Sequence, residues 1–201
     1  MNENGKNTRK NIIQESFKLF SAKPYDKVTF TDIEHVVKLS RGAILYHFKT
    51  KQEIFEAVIE SSILGRTAIL DIPVEGDEPL KNFIGSFVDS CKSAQKAMSK
   101  IGIKNMNLAH YNIESQALYF YNQFGKLSNQ MRETELKRWT FVVKRAQEAG
   151  EIKKTFNTEL IGSVFLNTYL GHAYSAAKDE DGCDTQLLYD ELMCLRNMIL
   201  T

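Results

Sequence analysis

Apolar residues recur along the first part of the chain with the three-to-four-residue spacing of amphipathic helices. The first such stripe consists of Ile13, Phe17 and Phe20. With Asn7 or Thr8 as its capping residue, this stripe predicts a first helix that ends near Lys23 and Pro24. The chain is therefore expected to begin with a helix that buries one face.

A capping box predicts where the second helix begins. The Thr31 hydroxyl can accept a hydrogen bond from the amide of Glu34, while the Glu34 carboxylate reaches back toward the preceding backbone. This pattern predicts a short helix over about residues 32–37. Lys38 and the two residues after it then interrupt the helical pattern.

A third short helix is predicted to begin after Ser40, its capping residue, and to turn Ile44 and Phe48 inward. Two short helices joined by a tight turn form a helix-turn-helix, whose second helix lies in the major groove of DNA. Its exposed N-terminal residues must then be small or polar. Gly42 and Ala43 let the backbone approach the base edges, and Ala43 can touch a thymine methyl group.

Polar and aromatic side chains around this helix are candidates for DNA contacts. Arg41 can donate to guanine or to phosphate, and Tyr46 and His47 lie where the helix passes the sugar-phosphate backbone. Lys51, beside the free amides that open a fourth helix, is suited to hold a phosphate. Taken alone, His47 is more typical of a surface histidine and Tyr46 of an amphipathic edge. Flanking cations, Lys49 among them, favour the DNA-contact interpretation.

The rest of the chain also has helical periodicity. A second capping box from Thr50 to Glu53 opens a helix predicted to connect head and body. Its apolar stripe consists of Ile54, Phe55, Val58, Ile59 and Ile63. Residues 71–79 form the clearest break, with Pro79 suited to the first turn of the next helix. Further helices are predicted at about 79–100, one or two within 103–124, and about 128–149, 158–177 and 185–200. Gly150 is a plausible terminator, and Asn157 or Thr158 a plausible cap.

Composition agrees with this helical pattern. The chain has 201 residues, three prolines, 11 glycines and 43% hydrophobic residues, enough to bury a substantial core. We predict an all-α protein of about nine helices. Its domains are a three-helix helix-turn-helix head at residues 1–60, which includes the start of the connecting helix, and a helical body at residues 61–201.

Charge is distributed unevenly between these parts. Residues 1–51 contain 10 Lys and Arg against 5 Asp and Glu, a charge of +5, which leaves −4 for the rest of a chain whose total is +1. A positive head on a mildly negative body is expected if only the head faces a polyanion such as DNA. A split of this size also occurs on ordinary protein surfaces, so it does not establish DNA binding by itself.

Together these motifs resemble the head of the tetracycline-repressor (TetR) family. The resemblance covers roughly residues 8–60 and rests on Thr31-Asp32-Ile33, on Ser40-Arg41-Gly42-Ala43-Ile44 and on the run from Tyr46 to Phe55. It places a set of residues at the family's DNA-contact positions: Thr31, Arg41, Gly42, Ala43, Tyr46, His47 and Lys51. Ser40, which opens the recognition helix, joins this predicted site. Two positions depart from the family pattern, because Lys38 replaces a usual glycine and Leu45 a usual aromatic residue.

The resemblance also implies a helical body that dimerises through its last two helices, 158–177 and 185–200, and binds an inducer. Small residues in the first of these helices and a leucine stripe in the second allow such close packing. Packing within one chain would produce the same stripes.

Aromatic residues of the body could line a pocket for a small apolar or aromatic ligand. The candidates are Phe87, Tyr111, Phe120, Trp139, Phe165 and Tyr169. His110 and His172 could add polar contacts, although a lone histidine in a helical protein is more often an ordinary core or surface residue. Most of the aromatic residues are equally consistent with a plain core.

We therefore expect a sequence-specific DNA-binding regulator, a repressor released from a palindromic operator by a small molecule. One alternative is a helical adaptor that binds only protein. Another is an enzyme, which is disfavoured because the chain has no GxGxxG, P-loop, HExxH or GxSxG pattern.

Other features favour a cytoplasmic protein with no cofactor and no metal. Cys91, Cys183 and Cys194 are odd in number and widely spaced, which predicts reduced and mostly buried thiols. The polar start has no signal-peptide core, and no apolar run is long enough to span a bilayer.

Overall fold

The computed structural model describes residues 3–65 and 68–201. Met1, Asn2, Arg66 and Thr67, which the predicted head and body include, lie outside the described residues. The described residues form helices and connecting loops, with a single isolated antiparallel bridge between Ile152 and Leu200. The prediction of an all-α protein is confirmed.

Ten α-helices run through the described parts of the chain. They are α1 (Glu3–Ala22), α2 (Phe30–Val37), α3 (Arg41–His47), α4 (Lys51–Ile59), α5 (Ala68–Asp71), α6 (Pro79–Lys100), α7 (Met106–Phe120), α8 (Phe124–Glu148), α9 (Thr158–Ala176) and α10 (Thr185–Met198). A 3-10 turn at Tyr25–Lys27 precedes α2, and a π-helical turn at Glu60–Leu64 continues α4. Because α5 is a single turn, nine longer helices remain among the described residues, in agreement with the predicted number of about nine. No helix among these is long and apolar enough to cross a membrane.

Contacts divide the described residues into two compact units. Unit 1 comprises residues 3–65 and 108–127, and unit 2 comprises residues 68–107 and 128–201. Most of α7 therefore belongs with the N-terminal helices. The units do not follow a continuous division of the chain near residue 60.

Unit 1 is built around α1, which packs against α2 and α4. Its fully buried side chains include Ile12, Phe20, Ile33, Ile44, Ile54, Phe55 and Val58. Side-chain amides join α7 to the end of α1. Gln116 donates to the Phe20 carbonyl (3.1 Å) and accepts from the Tyr25 amide (2.5 Å), while Asn112 donates to the Ser21 carbonyl (2.9 Å). The bonds to Phe20 and Ser21 satisfy carbonyl groups that a helix end leaves without intrahelical partners.

Unit 2 has its apolar core among α6, α8, α9 and α10. Trp139, the single tryptophan of the chain, is fully buried in this core. Its ring lies 5.0 Å from Phe83, 5.3 Å from Phe87 and 5.4 Å from Phe165, centroid to centroid. Offset and edge-on aromatic contacts of this kind add to the apolar burial that stabilises the unit.

A buried ion pair ties three segments of unit 2 together. Arg196 of α10 donates through Nε to Oε1 of Glu151 at 2.6 Å, and both residues are under one-tenth exposed. The same carboxylate accepts from the backbone amides of Leu80 (2.8 Å) and Lys81 (3.1 Å) at the start of α6. Glu151 therefore caps one helix and neutralises a buried cation on another.

The cysteines are all free, but their exposure differs from the prediction. Cys91 and Cys183 are half-buried, and burial raises the pKa of Cys91 to about 12 and that of Cys183 to about 11. Cys194 is exposed, so the prediction of a buried thiol is wrong there. Its place on the outer face of α10 explains the difference.

Several helix starts differ from the predicted ones. Helix α1 begins at Glu3, so Asn7 and Thr8 lie inside it, and the Thr8 hydroxyl donates to the Asn4 carbonyl (2.9 Å) instead of capping. Helix α2 is capped by Thr29, whose hydroxyl accepts from the Asp32 amide while the Asp32 carboxylate accepts from the Thr29 amide. The shorter aspartate closes the capping box in place of Glu34.

Other helix signals are correct. Ser40 accepts from the Ala43 amide, Asn157 from the Leu160 amide, and Pro79 occupies the first position of α6. Thr50 caps α4 as predicted, but the Glu53 carboxylate accepts from the amide of Lys49 and leaves the box half-formed. Capping residues thus locate most helix starts to within a turn.

Lys38, the residue that caps the C-terminal end of α2, has a left-handed backbone conformation (φ 56°, ψ 39°). Glycine is the residue that adopts this conformation most readily at a helix end. Replacing Lys38 with glycine is expected to stabilise unit 1 by about 0.5–1 kcal/mol, because a β-carbon is disfavoured there. Urea unfolding of Lys38→Gly measures the gain. Lys38→Ala controls for the lost charge, since it keeps the strain and should show no stabilisation. An equal gain in both variants would contradict this explanation.

Candidate nucleic-acid interface

Helix α3 is held in unit 1 by its inner face and leaves its outer face open. Ile44 and Phe48 are buried in the core of unit 1, as predicted. Ser40 caps the helix, and its hydroxyl accepts from the Ala43 amide, one of the amides that a helix start leaves without intrahelical partners. The core thus positions α3 without using its N-terminal residues.

The predicted contact residues of α3 are accessible to different degrees. Arg41 and Gly42 are exposed, and a β-carbon at Gly42 would have no neighbour within 4 Å. Tyr46 is 73% exposed, an unusually large exposure for an aromatic residue, and its ring lies edge-on to the His47 ring, 5.0 Å away centroid to centroid. Ala43 and His47 are half-buried, and the Nδ1 atom of His47 is enclosed with no hydrogen-bond partner among the described residues.

Thr31 and Ser40 flank the helix and are exposed. Thr31 is the second residue of α2, next to the capped end of that helix. Hydrogen bonds to Asp32, first from the Thr29 amide and then from the Lys23 ammonium, lower the Asp32 pKa to about 2. The cap of α2 therefore stays ionised throughout the neutral range.

Lys51 has intramolecular partners. Its Nζ donates to the carbonyls of Tyr25 and Val28, both at 2.8 Å, and lies 4.2 Å from the centre of the Tyr25 ring. Partial burial lowers the pKa of Lys51. Two of its three donors are thereby engaged in bracing the turn before α2, which leaves one for an external anion.

Arg41 is also held by partners that the sequence did not indicate. Its Nε donates to Oε1 of Glu34 at 2.6 Å, and its guanidinium lies 5.5 Å from the centre of the Phe30 ring. Both partners lie on α2, seven and eleven residues earlier in the chain. The arrangement follows from the tight turn, which packs α2 against α3.

Positive charge without a carboxylate partner remains on unit 1. Of the ten Lys and Arg residues within residues 3–65, those with an acidic partner are Lys18, Lys23, Lys27 and Arg41. Lys6, Lys10, Lys38 and Lys49 are exposed and make no ion pair with the described residues. These four lysines can supply the sequence-independent attraction to a phosphate backbone.

The structure brings four of the six predicted pocket residues together. Phe87, Trp139, Phe165 and Tyr169 form a chain of ring contacts in the core of unit 2. Tyr111 and Phe120 belong to unit 1 and are exposed, because α7 packs with the N-terminal helices. Among the described residues no group of three or more His, Cys, Asp or Glu is arranged to hold a metal ion.

Comparison with known proteins points to the same segment. Residues 12–58 match the family model described as bacterial regulatory proteins, tetR family. A curated relative is the negative transcriptional regulator IcaR of the icaADBC biofilm operon from Staphylococcus epidermidis, 36% identical over 50 residues. That match covers 25% of this chain and 27% of IcaR, so the chain matches little more than a quarter of that relative's length.

Solved structures resemble the whole chain. A TetR-family transcriptional regulator from Agrobacterium tumefaciens has a TM-score of 0.71 at 14% identity, over 98% of this chain and 100% of that one. A TetR-family regulator from Cytophaga hutchinsonii gives 0.71 at 14% identity, covering 100% and 98%. The SmeT–triclosan complex gives 0.69 at 17% identity, covering 93% and 90%. At such identities these likenesses establish the fold.

Proposed function

We propose that this chain is a TetR-family regulator that binds specific DNA sequences and uses α3 as its recognition helix, because residues 12–58 match that family's model and the chain shares the fold of solved TetR-family regulators. The observation that carries this proposal is the outer face of α3. Gly42 leaves open space at the start of the helix, and Tyr46 exposes most of its ring near the end. A groove-reading helix needs such an uncommitted face, whereas a helix that only supports a core does not.

We further propose that the chain acts as a homodimer through α9 and α10. Both helices expose large apolar side chains: Leu160, Val164, Leu170 and Tyr174 on α9, and Leu187 and Met198 on α10. An apolar surface of this kind supports association with a second copy of the chain. A twofold dimer would present two copies of α3 to half-sites about 34–36 Å apart, or a multiple of that spacing. The operator is then a palindrome.

A small apolar or aromatic ligand is proposed to release the DNA. Support comes from the aromatic cluster of unit 2, where Trp139 Nε1 is buried and has no hydrogen-bond partner among the described residues. An acceptor atom on a ligand could satisfy that donor. The structural neighbour SmeT is itself described in complex with triclosan, an aromatic molecule. A ligand that prefers one conformation of the body would lower operator affinity by a coupling free energy of about 1–3 kcal/mol.

As a repressor of transcription the protein would act on the chromosome, in the cytoplasm, and catalyse no reaction. An adaptor that binds only protein would occupy no specific sites on the genome. Mapping chromosomal occupancy of the intact protein therefore separates the two functions.

Salt dependence tests the proposed DNA contacts. Binding of the full chain to the DNA upstream of its own gene should weaken as salt rises, with a slope of about −0.9 per phosphate contact in a plot of log affinity against log salt. Lys49→Ala should reduce the slope by about one contact, because Lys49 is an exposed cation beside α3. The measurement is fluorescence anisotropy across a salt series.

Lys137→Ala provides the matched control, because Lys137 is an exposed lysine on α8 in unit 2. It should leave the slope unchanged. DNA affinity that does not change with salt concentration would count against α3 as the DNA-contacting element. Equal slopes for Lys49→Ala and Lys137→Ala would do so as well.

A further inference from the structure

We infer that Glu34 is a positioning residue that orients Arg41 to read a guanine, and that it thereby sets base preference at one position of each half-site. This inference rests on the proposed function. Neither the sequence pattern nor the resemblance to TetR-family proteins predicts a role for Glu34. The role is inferred from the contact of Glu34 with Arg41, the first residue of the recognition helix.

Two side chains of α2 contact the guanidinium of Arg41, a carboxylate at its Nε edge and an aromatic ring at its face. Glu34 Oε1 accepts from Nε at 2.6 Å, a short charge-assisted hydrogen bond. The Phe30 ring lies 5.5 Å from the guanidinium carbon, within the range of a cation–π contact. The Arg41 side chain is nevertheless 57% exposed, so it is constrained without being buried.

The contact with Glu34 selects which donors of Arg41 remain. An arginine has five N–H donors in a planar fork, and Nε supplies one of them. No described residue takes Nη1 or Nη2, which together form the end of the fork. Arginine reads guanine through two parallel hydrogen bonds to O6 and N7 in the major groove. Occupying Nε therefore leaves the paired donors that this readout needs.

Because Glu34 holds the Arg41 side chain before DNA binds, it should increase the discrimination between guanine and the other bases. A free arginine loses rotamer freedom when it binds a base, and it can turn to a nearby phosphate instead. The bond to Glu34 reduces both effects. The Glu34 carboxylate is also a negative charge beside a recognition helix, which weakens attraction to every DNA sequence alike. Glu34 is thus expected to lower overall affinity and raise selectivity.

Two variants separate these effects. Glu34→Ala removes the charge and the acceptor, whereas Glu34→Gln removes the charge and keeps a side-chain oxygen that can accept from Nε. Arg41→Ala identifies the base pair in question as the position where guanine enrichment is lost in DNA-fragment selection. Affinities of the full-length variants are then measured for the selected site, for that site with the guanine pair replaced, and for unrelated DNA.

Both Glu34 variants should bind unrelated DNA more tightly than the wild type, by a similar factor. Guanine preference at the Arg41 position should fall about tenfold in Glu34→Ala and remain close to wild type in Glu34→Gln. Thermal unfolding shows whether each variant is folded.

The inference is overturned if a folded Glu34→Ala retains the full guanine preference, or if Glu34→Gln loses as much preference as Glu34→Ala. Arg41→Ala that changes no position of the selected site would overturn it as well. A wild-type protein that selects no sequence at all would instead refute the proposed function, so the two failures are distinct.

Discussion

Replacing Glu151 with alanine is expected to lower the free energy of unfolding of unit 2 by about 2–4 kcal/mol, the largest stability loss anticipated for a single polar side chain here. The substitution removes the buried one of two carboxylates that bind Arg196, a residue that is 5% exposed. The other, Glu78, accepts from Nη2 of Arg196 at 2.6 Å and is about half exposed. The substitution also removes the acceptor for two backbone amides at the start of α6. A buried cation that keeps only the more exposed of its two carboxylate partners, together with two unpaired amides, explains the size of the loss.

Urea unfolding followed by tryptophan fluorescence measures this loss, because the single tryptophan, Trp139, lies in the core of unit 2. Glu148→Ala is the matched control. Glu148 pairs with Arg145 on the surface, with both side chains about half exposed, so its removal should cost at most about 1 kcal/mol. Similar losses for the two variants would show that the buried pair has no special role.

Replacing Gly42 with glutamate is expected to reduce operator affinity roughly 100-fold while the protein stays folded. Gly42 is the second residue of α3, and a β-carbon there would meet no atom within 4 Å. A helix accommodates glutamate in its first turn better than glycine, so folding should not suffer. In the proposed complex, however, the new side chain would occupy the space between the helix and the base edges and would bring a negative charge near phosphates.

Gly125→Glu is a close control for that experiment. Gly125 is likewise the second residue of a helix, α8, is exposed, and has no atom within 4 Å of an added β-carbon. Both variants gain the same charge at the same helical position. Anisotropy titrations should show a large loss for Gly42→Glu and a small change for Gly125→Glu. Equal affinities would mean that α3 does not enter the groove.

Local signals along the sequence predict the elements of the recognition site. Ser40 caps α3 because its hydroxyl reaches an amide three residues later, and Ile44 and Phe48 are buried because helical spacing puts them on one face. The start of α2 is missed for a similarly local reason. Thr29 and Asp32 form a capping box with aspartate, and the box predicted from Thr31 offers an equally plausible pattern two residues later.

Long-range contacts are not predictable from such patterns. Gln116 bonds to the end of α1 from 96 residues away, and this contact places most of α7 in unit 1. Glu151 and Arg196 are 45 residues apart and carry no local sign of pairing. In the sequence, Glu151 and Arg196 are each typical of an ordinary surface residue, because only the tertiary structure brings the two together.

Contacts within the site also require the structure. Arg41 and Lys51 are both predicted as donors to DNA from their charge and position, yet each has a partner inside the chain. Seven residues separate Glu34 from Arg41, and a turn with a left-handed residue at Lys38 lies between them. The geometry of that turn decides the pairing, and spacing alone does not reveal it.

Selection of random DNA fragments by the purified full-length protein tests the central claim most directly. A dimer that reads DNA through two copies of α3 should enrich a palindrome whose half-site centres lie one helical turn, about 10 base pairs, or a multiple of it apart. Arg41→Ala should lose enrichment at one symmetric pair of positions. No enriched sequence, or an enriched site without twofold symmetry that Arg41→Ala leaves unchanged, would contradict the account.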